Sequence, residues 1–318
     1  MVDLGELRER CAREVARRAV AGQPGAYAQE RGGPPTLYGT TAAVNVYAIL
    51  GLPVTAAQRE AWLAVILRHQ DASGRFAATG PAHALCMALQ ALNLLAAPIP
   101  PNVAPLAPRD PAALPAWLAA HDWGSTHKEL WGSTGPLLAT GLVSPAWTAA
   151  FTGALAARLD PAAPSATWCR PDDPPWKVIS CLYHVLEAFD AGALPYPQPD
   201  LLLDRLLGLD WPAQRATARQ TTCIDGDWAW LLAELGKLRP ARWPAACAAI
   251  RAVSAQRAAA WTAGAVDLAA LSTHDLFCHL WVTAAFQRLV REDCPGPCLR
   301  DTQNEAALLR LGRLGEAT

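Results

Sequence analysis

The stretch TTAAVNVYAILGLPVTAAQREAWLAVILRHQDASGRF, residues 40–76, contains two helix-like segments of different character. The first, TTAAVNVYAILG, is apolar on nearly every side, which is typical of a buried helix. The second, over residues 55–69, carries Arg59, Glu60 and Arg68 on one side, which is typical of a half-exposed helix. The stretch therefore predicts a hairpin of one inner and one outer helix.

Similar openings, in which polar residues precede an apolar run, recur at intervals of 42 to 53 residues. They start near residues 40, 82, 126, 172, 225 and 273. The later five read PAHALCMALQALNLL, THKELWGSTGPLLATGLV, DDPPWKVISCLYHVLEAF, DGDWAWLLAELGKL and THDLFCHLWVTAAFQRLV. A more amphipathic segment follows each of these five, over residues 111–121, 144–158, 199–207, 240–257 and 301–313. Two helices and two connections fit such an interval, so the sequence predicts six hairpin repeats.

Six buried helices that alternate with six half-exposed helices describe an inner ring inside an outer ring. We therefore expect an all-α fold, an (α/α)6 toroid over residues 37–318, preceded by an N-terminal helix and strap over residues 1–36. The composition agrees, because Ala and Leu dominate a hydrophobic fraction of 52% and β-branched residues are sparse. Each repeat buries its face against its neighbours, so 318 residues need no second domain.

Charge and hydropathy exclude several classes of partner. The formal net charge of −1 provides no basic surface for nucleic acid. No apolar run of 18 residues is free of charge, so we expect no transmembrane helix. The first residues lack the pattern of a signal peptide, and most of the nine cysteines lie in apolar stretches. Reduced core thiols in a cytoplasmic protein are the expectation.

The turn that closes the first repeat, RHQDASGRF over residues 68–76, resembles a known motif. It is similar to the Gln…Gly…aromatic repeat of the terpenoid-cyclase and protein-prenyltransferase superfamily. The apolar run that begins at Pro81 resembles the inner helices of that superfamily, and the rhythm of six repeats extends the resemblance over residues 36–315. The resemblance implies a toroid and leaves the activity open.

The segment WCRPDDP, residues 168–174, resembles the acidic motif of class II terpene cyclases, Asp-x-Asp-Asp at the start of an inner helix. The match puts Asp172 on the general acid of that family and Asp173 beside it. Arg170 stands where the first Asp belongs, and Pro174 replaces the usual Thr. The resemblance implies a lyase or isomerase of natural-product biosynthesis that needs no cofactor. Its substrate is a small, largely apolar, isoprenoid-like molecule.

The segment IDGDWAW, residues 224–230, resembles the Asp-Gly-Cys-aromatic segment that supplies two zinc ligands in protein prenyltransferase β-subunits. Asp227 occupies the Cys position, and the third ligand is a His that opens the next inner helix, here His274 or His279. The alternative function is therefore metal-assisted hydrolysis or group transfer by Asp225, Asp227 and His274. A divalent ion, Zn or Mg, is compatible with such ligands.

Polar residues at the starts of the inner helices share one rim of the ring if those helices run parallel. They are Tyr38, Thr40, His83, His127, Asp172, Asp173, Asp225, Asp227, His274 and Asp275. Two adjacent carboxylates share a proton, because like charges raise one pKa. The sequence thus predicts Asp172 as proton donor and Asp173 as its partner. His127 or His274 would be a hydrogen-bonding or proton-accepting neighbour. Capping of helix N-termini is the alternative for Asp and Thr.

Aromatic residues fall on the predicted inner helices at Trp131, Trp176, Tyr183, Trp228, Trp230, Phe277 and Trp281. Their rings stabilise a carbocation by cation–π contact when they face a cavity. With Tyr38 and His83 they form the predicted substrate-binding set, and packing in the core is the alternative. A third hypothesis is a toroid without catalysis that binds a ligand or a peptide.

Overall fold

The computed structural model describes residues 4–76, 81–98, 100, 107–121, 134–135, 138, 143–159, 168–170, 172–215 and 222–289. Throughout these ranges the regular structure is helical, with isolated bridges such as Ala19 with Tyr27 in place of any sheet. This confirms the all-α class. None of the helices in these ranges is long and apolar enough to cross a membrane.

The helices are numbered here in chain order. They are α1 (Leu4–Ala16), α2 (Leu37–Leu50), α3 (Ala56–Arg68), α4 (Pro81–Leu94), α5 (Leu114–Ala119), α6 (Pro145–Ala156), α7 (Pro175–Ala191), α8 (Pro199–Gly208), α9 (Trp211–Gln214), α10 (Thr222–Lys237), α11 (Trp243–Thr262) and α12 (Thr273–Leu289). A 3-10 turn over Pro111–Ala113 leads into α5. The predicted helix over residues 301–313, and most of the run near residue 126, lie outside the described ranges.

Side-chain caps explain where three of these helices begin. The Thr36 hydroxyl accepts the Gly39 N–H of α2 at 2.9 Å, and the Ser144 hydroxyl accepts the Trp147 N–H of α6 at 3.2 Å. Thr55 caps α3 in the same way. Each cap satisfies a backbone donor that has no partner inside the helix. Two of these caps, Thr55 and Ser144, are the first residues of the predicted segments 55–69 and 144–158.

Burial differs between predicted inner and outer helices, as expected. In α2, α7 and α10 the buried residues lie on nearly every side. In α6 only Trp147, Phe151 and Leu155 are buried, at a spacing of four residues, and α3 is likewise buried on a single stripe around Trp62 and Ile66. A single stripe of this kind is the pattern of a helix with one face in solvent.

The start of α10 corrects the sequence interpretation. The helix begins three residues before the predicted opening near residue 225, because the chain is already helical at Thr222. Asp225 lies in its first turn, Asp227 follows two residues later, and both side chains are buried. By contrast, Asp172 and Asp173 do precede their helix, since α7 begins at Pro175, where a proline is favoured.

The chain divides into two compact units. The described residues of Met1–Ala104 and Ile250–Leu308 form the first, and those of Pro105–Ala249 form the second. In the first unit α2 packs against α1, α3, α4 and α12. In the second unit α10 packs against α7 and α8, and α5 packs against α6. The domain boundary expected after residue 36 stays a prediction.

The strap before α2 joins the beginnings of two helices in the first unit. The Tyr27 N–H donates to the Thr40 hydroxyl at 3.2 Å, and the Thr273 hydroxyl donates to the Ala28 carbonyl at 2.7 Å. Gly39 permits this approach, because a Cβ atom there would lie 2.5 Å from backbone atoms of Ala28. The first turns of α2 and α12 are thus held at the same end of the unit.

Candidate functional site

Two residues of the predicted rim meet in the first unit. The rings of Tyr38 and His274 lie edge to face with their centroids 5.7 Å apart. The His274 Nε2 atom is 3.5 Å from the Cys278 sulfur. Burial, with a smaller effect of Cys86, raises the pKa of Tyr38 to about 12, so its hydroxyl keeps its proton at neutral pH.

Two other residues of the predicted rim in this unit form hydrogen bonds that hold the fold together. Thr40 is fully buried and accepts the strap hydrogen bond from Tyr27. Asp275 accepts a bond from the Ser272 hydroxyl at 2.7 Å, and the Ser272 oxygen accepts the Asp275 N–H at 3.0 Å. This reciprocal pair caps α12, which is the alternative function that the sequence left open for Asp275.

The predicted acidic motif lies at the start of α7 in the second unit. Asp172 is exposed. Asp173 has one carboxylate oxygen 2.9 Å from the Lys177 ammonium, and the other accepts the Arg170 N–H at 3.0 Å. The Asp173 carboxylate therefore has a cationic partner and closes the turn before the helix.

Asp225, a predicted metal ligand, is the most completely bonded carboxylate described in the second unit. It is fully buried, and the Arg215 Nε donates to its two oxygens at 2.8 and 2.9 Å. The Trp211 indole N–H adds a bond at 3.0 Å. A metal ion would have to displace Arg215, so this arrangement does not fit a divalent ion. Within the described ranges, His, Cys, Asp and Glu form no group of three suited to a metal.

A further carboxyl group, which the sequence interpretation missed, lies in the middle of α7. The Tyr183 hydroxyl donates to the Glu187 Oε1 atom at 2.8 Å. The Glu187 Oε2 atom is buried and has no hydrogen-bond partner in the described part of the chain. Burial raises the pKa of Glu187 well above its ordinary value, and the nearby carboxylates of Asp227 and Asp190 raise it further. The Tyr183 bond opposes this rise.

Aromatic rings pack against the tyrosine that bonds to this carboxyl group. The ring of Tyr183 lies edge-on to Trp230, with centroids 5.3 Å apart, and edge-on to His184 at 5.2 Å. The ring of Tyr196 also contacts Trp230, with centroids 6.4 Å apart. Trp228, also on α10, is buried, and its indole nitrogen has no partner among the residues that the structure describes. The Tyr183 side chain thus joins the Glu187 carboxyl to a group of aromatic rings.

Helix geometry brings these groups together. Residues four apart share one face of a helix, so Tyr183 and Glu187 are neighbours on α7. Packing of α7 against α10 then brings Asp227 and Trp230 to that face. The available sequence signal was the acidic residue inside the apolar run DDPPWKVISCLYHVLEAF. That signal does not distinguish a buried acid from one that faces water.

Three other aromatic residues of the predicted substrate-binding set have described positions. Phe277 and Trp281 are buried on α12 in the first unit, and Trp176 is half-buried in the first turn of α7. His127 and Trp131 lie outside the described ranges, as does the side chain of His83.

The chain matches no protein-family model, no curated protein and no solved structure. The functional argument therefore rests on the residues and their geometry.

Proposed function

We propose that the protein is an acid-initiated enzyme of the terpene cyclase-like type, with Glu187 as its proton donor. Its substrate is a small, largely apolar, isoprenoid-like molecule that the enzyme cyclises or isomerises. The observation that carries the proposal is the Glu187 carboxyl, which accepts one bond from Tyr183 at Oε1 and has a buried Oε2 atom without a partner in the described structure.

Protonation of an alkene or an epoxide requires a carboxylic acid that still holds its proton at neutral pH. Burial supplies this condition at Glu187, because removal from water disfavours the carboxylate. In the reaction the O–H bond at Oε2 breaks, and the proton forms a bond to a substrate carbon or to the epoxide oxygen. The alkene π bond or an epoxide C–O bond breaks, so the substrate becomes a cation and Glu187 a carboxylate. At the end of the reaction a carbon of the cation loses a proton to water, and Glu187 takes up a proton from solvent.

The surroundings of Glu187 suit the charges that this step creates. The Tyr183 hydroxyl bond stabilises the carboxylate that remains after proton transfer. Negative charge at Asp227 and Asp190 and the aromatic rings of Tyr183 and Trp230 favour a cation nearby. Electrostatic stabilisation of this kind is a major source of catalytic rate enhancement.

The proposal includes the (α/α)6 toroid as the fold that encloses the substrate. Two contacts within the first unit support it. The first predicted inner helix, α2, packs against α4 and also against α12, as the first helix of a closed ring packs against the second and the last. The contact between Tyr38 and His274 supports a common end for the first turns of α2 and α12.

The predicted donor Asp172, with Asp173 and His127 or His274 as neighbours, is the second candidate for the acid. Asp172 is exposed and Asp173 is paired with Lys177, whereas the Oε2 atom of Glu187 is buried and has no hydrogen-bond partner in the described structure. These surroundings are why we assign the proton to Glu187 and not to Asp172.

A deuterium-incorporation assay tests this assignment. The protein is incubated in D2O with linear isoprenoid alkenes and their terminal epoxides, and the products are analysed by mass spectrometry. We expect cyclised or isomerised product, with one carbon-bound deuterium from each alkene. Glu187→Gln should abolish product, because the amide has no acidic proton, while Glu60→Gln, at an exposed glutamate of α3, should leave it unchanged. Full activity in Glu187→Gln together with loss in Asp172→Asn would move the donor to Asp172.

A further inference from the structure

The Glu187 carboxyl has two oxygens in different surroundings. Oε1 accepts the hydroxyl of Tyr183 at 2.8 Å, and Oε2 is buried without a hydrogen-bond partner in the described ranges. In a neutral carboxyl group one oxygen carries the proton, and the other is a carbonyl oxygen that accepts bonds. The oxygen that already accepts a bond from tyrosine is the better carbonyl oxygen.

We infer that Tyr183 is a positioning residue that fixes the proton of the Glu187 carboxyl on Oε2. This inference rests on the proposed function only in taking Glu187 to be the donor. The Tyr183 hydroxyl occupies Oε1, so the proton is held on the oxygen that has no other bond. The acid thereby presents its proton in one direction instead of two.

The position of the tyrosine ring supports this role. Tyr183 is buried, and its ring is held between His184 and Trp230 by edge-on contacts at 5.2 and 5.3 Å. The spacing of four residues on α7 keeps the hydroxyl within reach of Glu187. A ring fixed on two sides directs its hydroxyl with little loss of side-chain freedom at the moment of reaction.

The same bond has a second consequence for the acid. A hydrogen bond donated to the carboxylate stabilises the charged form, and the Tyr183 bond accordingly lowers the pKa of Glu187 against the larger effect of burial. Tyr183 therefore directs the proton and also allows it to leave. Phenylalanine at residue 183 would keep the ring contacts and remove both effects.

Infrared spectroscopy of the full-length protein in D2O tests the inference without any substrate. The carbonyl stretch of a protonated carboxyl group is separate from the amide band, and the Glu187 band is identified by its loss in Glu187→Gln. In Tyr183→Phe we expect this band to move to higher frequency, because its carbonyl oxygen has lost a hydrogen bond. The pH midpoint of the band should also rise. Tyr47→Phe removes a hydroxyl in the first unit, from a ring that packs on Trp62. This control should change neither the frequency of the band nor its pH midpoint.

The outcomes separate the two proposals. A Glu187 band that is present at neutral pH but unchanged in Tyr183→Phe overturns the positioning role and leaves the proposed donor intact. A spectrum without any band that is lost in Glu187→Gln overturns both. If Tyr183→Phe does not fold, Glu187→Asp replaces it, since a shorter side chain withdraws the carboxyl from the tyrosine. The same upward shift of the band is then expected, and an unshifted band contradicts the inference.

Discussion

Asp225 and Glu187 are two carboxyl groups of the same unit with opposite bonding. Asp225 is fully buried, whereas Glu187 is half-buried with a buried Oε2 atom. The first accepts bonds from a cation, Arg215, and from an indole donor, Trp211. The second has one tyrosine hydroxyl and carboxylate neighbours, so burial favours its neutral form. A buried acid that is paired with a cation stabilises the fold. A buried acid without a cationic partner keeps its proton and can donate it in a reaction.

The largest effect is expected when the paired acid is removed. Asp225→Ala leaves Arg215 largely buried without its partner, which should lower the free energy of unfolding by about 3–5 kcal/mol. Urea unfolding followed by circular dichroism measures this. Asp204→Ala is the matched control, since its pair with Arg242 is exposed and should contribute only about 0–1 kcal/mol. Equal effects of the two variants would contradict the structural role of Asp225.

A smaller effect is expected when one donor to Asp225 is removed. Trp211→Phe deletes the indole N–H that bonds a charged, buried oxygen, at a cost of about 1.5–3 kcal/mol. Trp147→Phe deletes a similar N–H that bonds the neutral Pro108 carbonyl at 2.8 Å, and should cost about 0.5–1.5 kcal/mol. Denaturation midpoints of the two variants check the order. A larger loss of stability in Trp147→Phe than in Trp211→Phe would show that the bond to the Asp225 carboxylate is not the stronger of the two.

The unpaired acid should give a pH dependence of stability. Because the folded pKa of Glu187 is raised, the folded protein binds more protons than the unfolded chain above the ordinary glutamate pKa of about 4.3. The free energy of unfolding of the wild type should therefore fall as pH rises from about 5 through neutrality. Glu187→Gln should lack this part of the decline. Identical slopes for wild type and variant in urea unfolding at several pH values would refute a raised pKa.

The smallest effect is expected for the metal content of the purified protein. Asp227→Ala should leave it unchanged, because Asp225 bonds to Arg215 and the described residues offer no group of three ligands. Elemental analysis by mass spectrometry measures the ratio of zinc or magnesium to protein. A stoichiometric divalent ion in the wild type that is lost in Asp227→Ala would favour the metal-assisted reaction instead.

Much of the fold could be predicted from the sequence because helical periodicity reports burial. The one-sided pattern of residues 55–69 predicted α3 to within one residue at each end, and the segment predicted over residues 144–158 begins one residue before α6. The start of α10 was missed because Asp225 looks like a capping residue. Its partners are an indole and a guanidinium from the segment before the helix. No local pattern announces such a partner.

The candidate acid was missed for a related reason. Glu187 lies four residues after Tyr183 in a run that is otherwise apolar, and periodicity alone is compatible with either orientation of its side chain. Its burial and its raised pKa depend on the packing of α7 against α10, which brings Asp227 near. Contacts between helices decide the protonation of such a group, and they are not written in the sequence of either helix.

The protonation state of Glu187 at neutral pH tests the central claim most directly. Glutamate side chains labelled with 13C at Cδ are followed by NMR over a pH series, and the Glu187 resonance is assigned by its loss in Glu187→Gln. We expect the Glu187 carboxyl to be still protonated at pH 7, where ordinary glutamates are ionised. A Glu187 resonance that titrates together with the exposed glutamates would contradict it.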